Sequence, residues 1–150
     1  MNHQDNYSIN DSYQYQAMGP GEEISGVKFT VPQSFTEGTN LSSFDTGVSI
    51  EIIPMVQDCS ASLFISRELE AESVFDRGEE YSFVSSVEGA VGNRYEEYVW
   101  AIPYTNPCIA VRYFIHYGVI ENYPEGMVVE FDRDALINQF DRIRQSLMTI

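Results

Sequence analysis

Cys108-Ile109-Ala110-Val111-Arg112-Tyr113-Phe114-Ile115-His116-Tyr117 reads as a strand that is apolar on both sides. Ile109, Val111, Tyr113 and Ile115 alternate onto one face, and Ala110 and Phe114 fall on the other, as pleating requires. A strand covered on both faces belongs in the middle of a layered fold. Just upstream, Pro103-Tyr104-Thr105-Asn106-Pro107 turns the chain. Before that turn, residues 81–87, a glycine-containing turn at 88–92 and residues 93–102 spell a β-hairpin. Three consecutive strands joined by short turns predict an antiparallel meander.

Reading outward, Glu121-Asn122-Tyr123-Pro124-Glu125-Gly126 is a turn. Residues 132–147 predict an amphipathic C-terminal helix. Leu136, Phe140, Ile143 and Leu147 form one apolar stripe with Ile137 beside it. Asp132 is placed to cap the helix, Asp134 suits its positive first turn, and Arg142 and Arg144 suit its negative end. Towards the N-terminus, residues 27–31 alternate and stop at Pro32, and residues 47–53 place Val48, Ile50 and Ile52 on one face and stop at Pro54. Residues 61–65 are short and apolar. Residues 66–76 set Leu69, Val74 and Phe75 among Glu68, Glu70 and Glu72, which predicts an acidic surface helix stopped near Gly78. The order β, β, α, β-β-β, α predicts an α+β fold: an antiparallel sheet packed by helices in an α/β/α sandwich. This domain spans residues 25–150. Residues 1–24 hold almost no aliphatic side chain and end in Gly19-Pro20-Gly21. Such a segment buries too little surface to offset the entropy of ordering it, so it reads as a flexible polar tail. Its Tyr7, Tyr13, Tyr15 and His3 offer a sticky recognition stretch as the alternative.

The chain has 150 residues, 8 basic and 23 acidic, for a formal charge of -15. It is 43% hydrophobic and 13% aromatic, so a packed core is expected. Lys28 is the sole lysine and the seven arginines are scattered, which argues against phosphate-backbone binding and against attachment to an anionic membrane. Apolar runs fall far short of the ~20 residues of a membrane helix, so no direct membrane insertion is expected. Met1-Asn2-His3-Gln4-Asp5 has neither the basic nor the apolar region of a secretory leader. Sequon matches at Asn6, Asn10 and Asn40 carry little weight, since so short a pattern recurs by chance.

Cys59 and Cys108 fit no zinc spacing. Two readings stand: buried thiols in a cytosolic protein, or one disulfide closing a long loop. Both residues border polar turns, which favours the bond, and a bond implies an oxidising compartment.

The candidate chemistry weighs mostly towards structure. Glu96 and Glu97 are adjacent on a strand and so face opposite ways, and Glu96 with Arg94 reads as a surface ion pair. His116 is eight residues, about 26 Å, from Cys108, too far for a nucleophile pair. Arg112, four residues from His116, shares its face without reaching it. Buried, hydrogen-bonded roles are the expectation for both. The Ser-rich pieces lack a nucleophile elbow, and no phosphate or dinucleotide loop occurs. Asp45, Asp58 and Asp76 lack the spacing of a calcium loop. No metal site and no cofactor are expected.

Residues 106–147 resemble a family of uncharacterised bacterial exported or lipid-tethered domains. The resemblance rests on Asn106-Pro107-Cys108, on 110–116, on Asn122-Tyr123-Pro124 with Gly126, on Glu130-Phe131-Asp132-Arg133 and on Phe140-Asp141-Arg142-Ile143-Arg144. Gly92-Asn93-Arg94-Tyr95-Glu96-Glu97 and Phe29-Thr30-Val31-Pro32 extend it over about residues 26–147. It implies a periplasmic or extracellular address and a Cys59–Cys108 bond, without activity or cofactor. The strand order also looks like the PsbP-like sandwich, which as a fold analogy gives no function. A cytoplasmic address is the alternative.

The reading that follows is a non-enzymatic extracytoplasmic binding or accessory domain with an acidic surface. Candidate binding residues are Arg94, Glu96, Arg112, His116 and Tyr123, and the expected acidic contact face is Glu68, Glu70, Glu72, Asp76, Glu79 and Glu80. A strongly negative field steers cationic partners, so a basic protein is the partner class, and an acidic inhibitor of a basic enzyme such as a lysozyme is one form of it. A nucleic-acid mimic acting on a DNA-binding protein is another, and would need a cytosolic address. The enzyme alternative is a small hydrolase-like site around Arg112 and His116. Acidity that serves only solubility is the plainest account.

Overall fold

The computed structural model describes residues 6–148. Seven strands, β1 (Ser8–Tyr15), β2 (Ile24–Thr30), β3 (Gly47–Ile53), β4 (Glu72–Asp76), β5 (Glu79–Ala90), β6 (Asn93–Ala101) and β7 (Cys108–Gly118), precede the helix α1 (Arg133–Met148). They form one sheet in the order β1-β2-β3-β7-β6-β5-β4. Every neighbouring pair is antiparallel. The doubly apolar strand β7 is the central one, flanked by β3 and β6. The architecture is α+β, a sheet with one C-terminal helix.

Alternation divides the sheet cleanly. On one face Val48, Val111, Tyr113 and Ile115 pack with Leu136 and Phe140 of α1, and the Tyr113 and Phe140 rings meet edge to face at 5.5 Å. On the other, Val84, Val99, Ala101 and Ala110 pack under Ala61 and Phe64 of a 3-10 turn, Ala61–Phe64. Cys59 and Cys108 are disulfide-bonded across 49 residues of chain, fastening the segment that carries this turn to the first residue of β7. The helix therefore covers one face and a stapled loop the other; among the described residues α1 is the one α-helix.

Two expectations are corrected. The acidic helix over 66–76 is instead an extended segment ending in the edge strand β4. Leu69, Val74 and Phe75 cannot form a helical stripe, since at about 100° per residue Val74 and Phe75 would fall about 140° and 120° to either side of Leu69. In the hairpin Val74 pairs with Tyr81 while Phe75, 70% exposed, takes the opposite face. The hairpin closes through Arg77-Gly78, both at positive φ (54° and 83°), the geometry that matches strand twist. Nor is all of 1–24 a free tail: residues 8–15 are the edge strand β1, paired with β2. Its anchor is aromatic. Tyr15 is 3% exposed in the core of the stapled face, with Tyr13 packed beside it. His3 lies outside the described residues.

Candidate functional site

The central strands carry charge into the core. Arg112 of β7, 1% exposed, stands between Ser49 of β3 and Val99 of β6. Its Nε and Nη2 donate to the two oxygens of Glu51, each at 2.8 Å, and Nη1 donates to Glu97 Oε1 at 2.7 Å. Nη2 also donates to the Phe64 carbonyl at 2.7 Å, tying the 3-10 turn to the sheet. The Tyr15 ring lies on the guanidinium, 3.6 Å from ring centre to Cζ, and its hydroxyl donates to Glu97 Oε1 at 2.7 Å. Burial alone would favour neutral arginine, but contact with Glu51 outweighs it and holds the guanidinium above its ordinary pKa. Every nitrogen of the group is occupied.

Lys28 of β2 borders this cluster, 7% exposed, under the Phe114 and Tyr13 rings at 4.8 and 5.2 Å. It donates to the Asp45 carbonyl at 2.6 Å. Burial pulls its pKa down from 10.5 to about 8, against the upward pull of Asp45 and Glu51.

His116 stands apart. Its Nδ1 is 2.7 Å from Asp45 Oδ1 and its Nε2 is 2.8 Å from Asn93 Oδ1, with the ring stacked on Tyr95 at 4.4 Å. Arg112 and His116 share no partner, and both ring nitrogens of His116 are in hydrogen bonds. The histidine pins the β2–β3 connection to the start of β6.

On the helix face, Glu96 and Glu97 part as adjacent strand residues must. The expected Arg94–Glu96 surface pair does not form. Glu96, 4% exposed, accepts from Tyr98 and Tyr117 hydroxyls at 2.8 and 2.6 Å and from Nε and Nη2 of Arg133. Burial pushes this carboxyl up, but the Arg133 and tyrosine hydrogen bonds outweigh it and hold it below the usual carboxylate range. Arg94 Nη1 donates to the Asn93 carbonyl at 3.0 Å. Tyr123 lies against Gly118, where any Cβ would collide with its ring. The five candidate binding residues therefore do not form one site.

The acidic set is divided too. Asp76 points to the helix face and accepts from Arg144 Nη2 at 2.8 Å and Gln145 at 3.1 Å. The Arg144 hydrogen bond holds its carboxyl below the usual range. Arg144 is itself buried, donating to the Tyr113 hydroxyl at 2.8 Å and lying over Trp100 at 4.0 Å. Glu80 pairs with Phe75 on the opposite face and accepts from Ser73 at 3.0 Å, and Glu68 and Glu70 lie in the connection before β4. These six carboxylates are not one contact face.

The partners of Arg112 are Glu51, Glu97 and Tyr15; the sequence reading weighed Glu97 only against Glu96 and Tyr15 only within a polar tail, and it did not single out Glu51. One signal was present: Glu51 is the lone charge in the mostly apolar run 47–53, and a buried carboxylate requires a partner. Among the described residues no helix is long and apolar enough to cross a membrane. No family model, curated protein or solved structure matches the chain.

Proposed function

We propose that the chain is a non-enzymatic binding or accessory domain of an oxidising, extracytoplasmic compartment, and that its acidic exterior receives a basic protein. One observation carries this reading. Lys28, Arg112 and Arg144 are buried together with Glu51, Glu96 and Glu97, three cations with three carboxylates, so the formal charge of -15 is carried outside the core. Taking cations inside makes the exterior more one-signed than the composition alone requires, and such a field raises encounter rates with a positive partner. The full occupation of Arg112 and His116 supports binding over hydrolysis, because neither offers a nitrogen to a substrate in this arrangement. The Cys59–Cys108 bond and the resemblance to exported or lipid-tethered domains support the compartment. The PsbP-like analogy adds no activity.

The test is calorimetric titration with a small basic protein such as lysozyme and with an acidic control, at about 0.02 M and about 0.15 M salt, where screening differs strongly. Binding of the basic protein alone, weakening with salt, is the expected result. Absence of binding at low salt would overturn the reading. So would turnover of simple ester, phosphate or glycoside substrates that His116→Ala abolishes without unfolding the chain.

A further inference from the structure

The disulfide end of the sheet leaves apolar side chains in water. Met55, at φ 59°, is 92% exposed, and Tyr104, at φ 68°, is 91% exposed. Left-handed backbone is uncommon for residues with a Cβ, and where it recurs it marks sites held in place by their surroundings. The two loops that carry them touch, since Thr105 Oγ1 lies 3.4 Å from Cys59 Sγ.

Beside Met55 a cleft of about 510 Å³ opens between the β1–β2 connection and the end of β3. Met18, Ile52, Ile53, Pro54 and Leu63 make its apolar floor, and Glu22 and Glu23 stand on its rim. Ile52 and Leu63 are 42% and 37% exposed, so the cleft presents apolar surface to solvent. Its size is that of a pocket for a few side chains. Its wall is fixed before any ligand arrives: Ile53 pairs in register with Cys108, and Cys108 is bonded to Cys59.

We propose that this cleft binds a basic segment of a partner protein, seating an apolar side chain on the Ile52–Leu63 floor while flanking lysines or arginines meet Glu22 and Glu23. The proposal rests on the acidic-domain reading and gives it an address. Two features select this occupant. Carboxylates on the rim attract a cationic peptide and repel the anionic headgroups of a membrane. The apolar floor supplies what the diffuse negative field lacks, a contact that discriminates among basic partners, because charge steers while buried anchors hold.

The test uses the full chain and two synthetic peptides, each with a pair of lysines on either side of a centre that is Leu-Leu in one and Ser-Ser in the other. Titration followed by calorimetry should show the leucine peptide bound about tenfold or more tightly, the gain expected for burying one large apolar side chain. Ile52→Thr/Leu63→Ser should erase that preference and leave the weak, salt-sensitive binding of the serine peptide. Glu22→Gln/Glu23→Gln should weaken both peptides and flatten their salt dependence. All four positions are at the surface, and an unchanged melting temperature confirms that each variant is folded. Equal binding of the leucine peptide by wild type and by Ile52→Thr/Leu63→Ser would overturn the cleft while leaving the acidic-domain reading standing. No binding of either peptide or of basic protein would overturn both. Co-sedimentation with phosphatidylglycerol vesicles, lost in the same floor variant, would reassign the cleft to lipid.

Discussion

Replacing Arg112 by leucine strands Glu51 and Glu97, two carboxylates that the fold buries on the expectation of a cation. Removing one partner of a buried ion pair costs about 3–5 kcal/mol, and urea denaturation of Arg112→Leu should show a loss of that order. A change below about 1 kcal/mol would mean that water reaches the cluster. Lys28 acts with the opposite sign. Its pKa is about 8 in the fold and 10.5 in its ordinary state, so between those values the unfolded chain binds the proton more readily. Stability from this group therefore rises with pH from 8 to 10.5. Tyr7 and Tyr98, raised by burial to about 12, hold their protons longer in the fold, so their contribution is lost as pH climbs from 10 through 12. Denaturation at pH 7, 8, 9 and 10 should show wild type gaining on Lys28→Met across that series. Parallel curves would refute the assignment.

At the scale of elements, β1 is an edge strand whose order depends on few side chains. It pairs with β2 alone and presents mostly polar, exposed residues, with Tyr13 and Tyr15 turned inward. Tyr13→Ala/Tyr15→Ala should release it. Hydrogen exchange would then speed at residues 8–15 while β3, β6 and β7 stay protected, and global stability should fall by about 3 kcal/mol or more, as for other large aromatic truncations. Protection kept at residues 8–15 would show that the backbone ladder suffices. This strand also marks where reading the sequence stops. The meander β5-β6-β7 and the helix α1 were legible because period-2 and period-3.6 patterns are local properties of the chain. β1 was not, since its order comes from Arg112, which lies 97 positions beyond Tyr15 and offers a flat cation for the ring to rest on. β4 was misread because glutamates interleaved with Leu69 and Val74 look the same on a helix as on an exposed edge. Arg112 was correctly taken as buried and hydrogen-bonded, and His116 is hydrogen-bonded but only half-buried. Their partners Glu51 and Glu97 are set by strand pairing and Asp45 by a distant turn, which no local pattern encodes.

For the whole molecule, the Cys59–Cys108 bond closes a long loop across the stapled face. Chain-entropy reasoning assigns a loop of about fifty residues roughly 4 kcal/mol. Reduction should add two hydrogens to the intact mass and lower the denaturation midpoint accordingly. Alkylation of two thiols in native, unreduced protein would refute the bond. The placement of Lys28 reaches further still. It is the sole lysine of the chain and it is shut beneath two aromatic rings, so the outer surface has carboxylates in abundance and no lysine side chain to acylate. Reagents that join lysine to lysine find no exposed lysine side chain on this protein, within a complex or outside one. Carbodiimide activation reverses the situation: side-chain carboxyls activated here find few amines at home, so the isopeptide bonds that form in a complex point outward, each joining a named glutamate or aspartate to a lysine of the other protein.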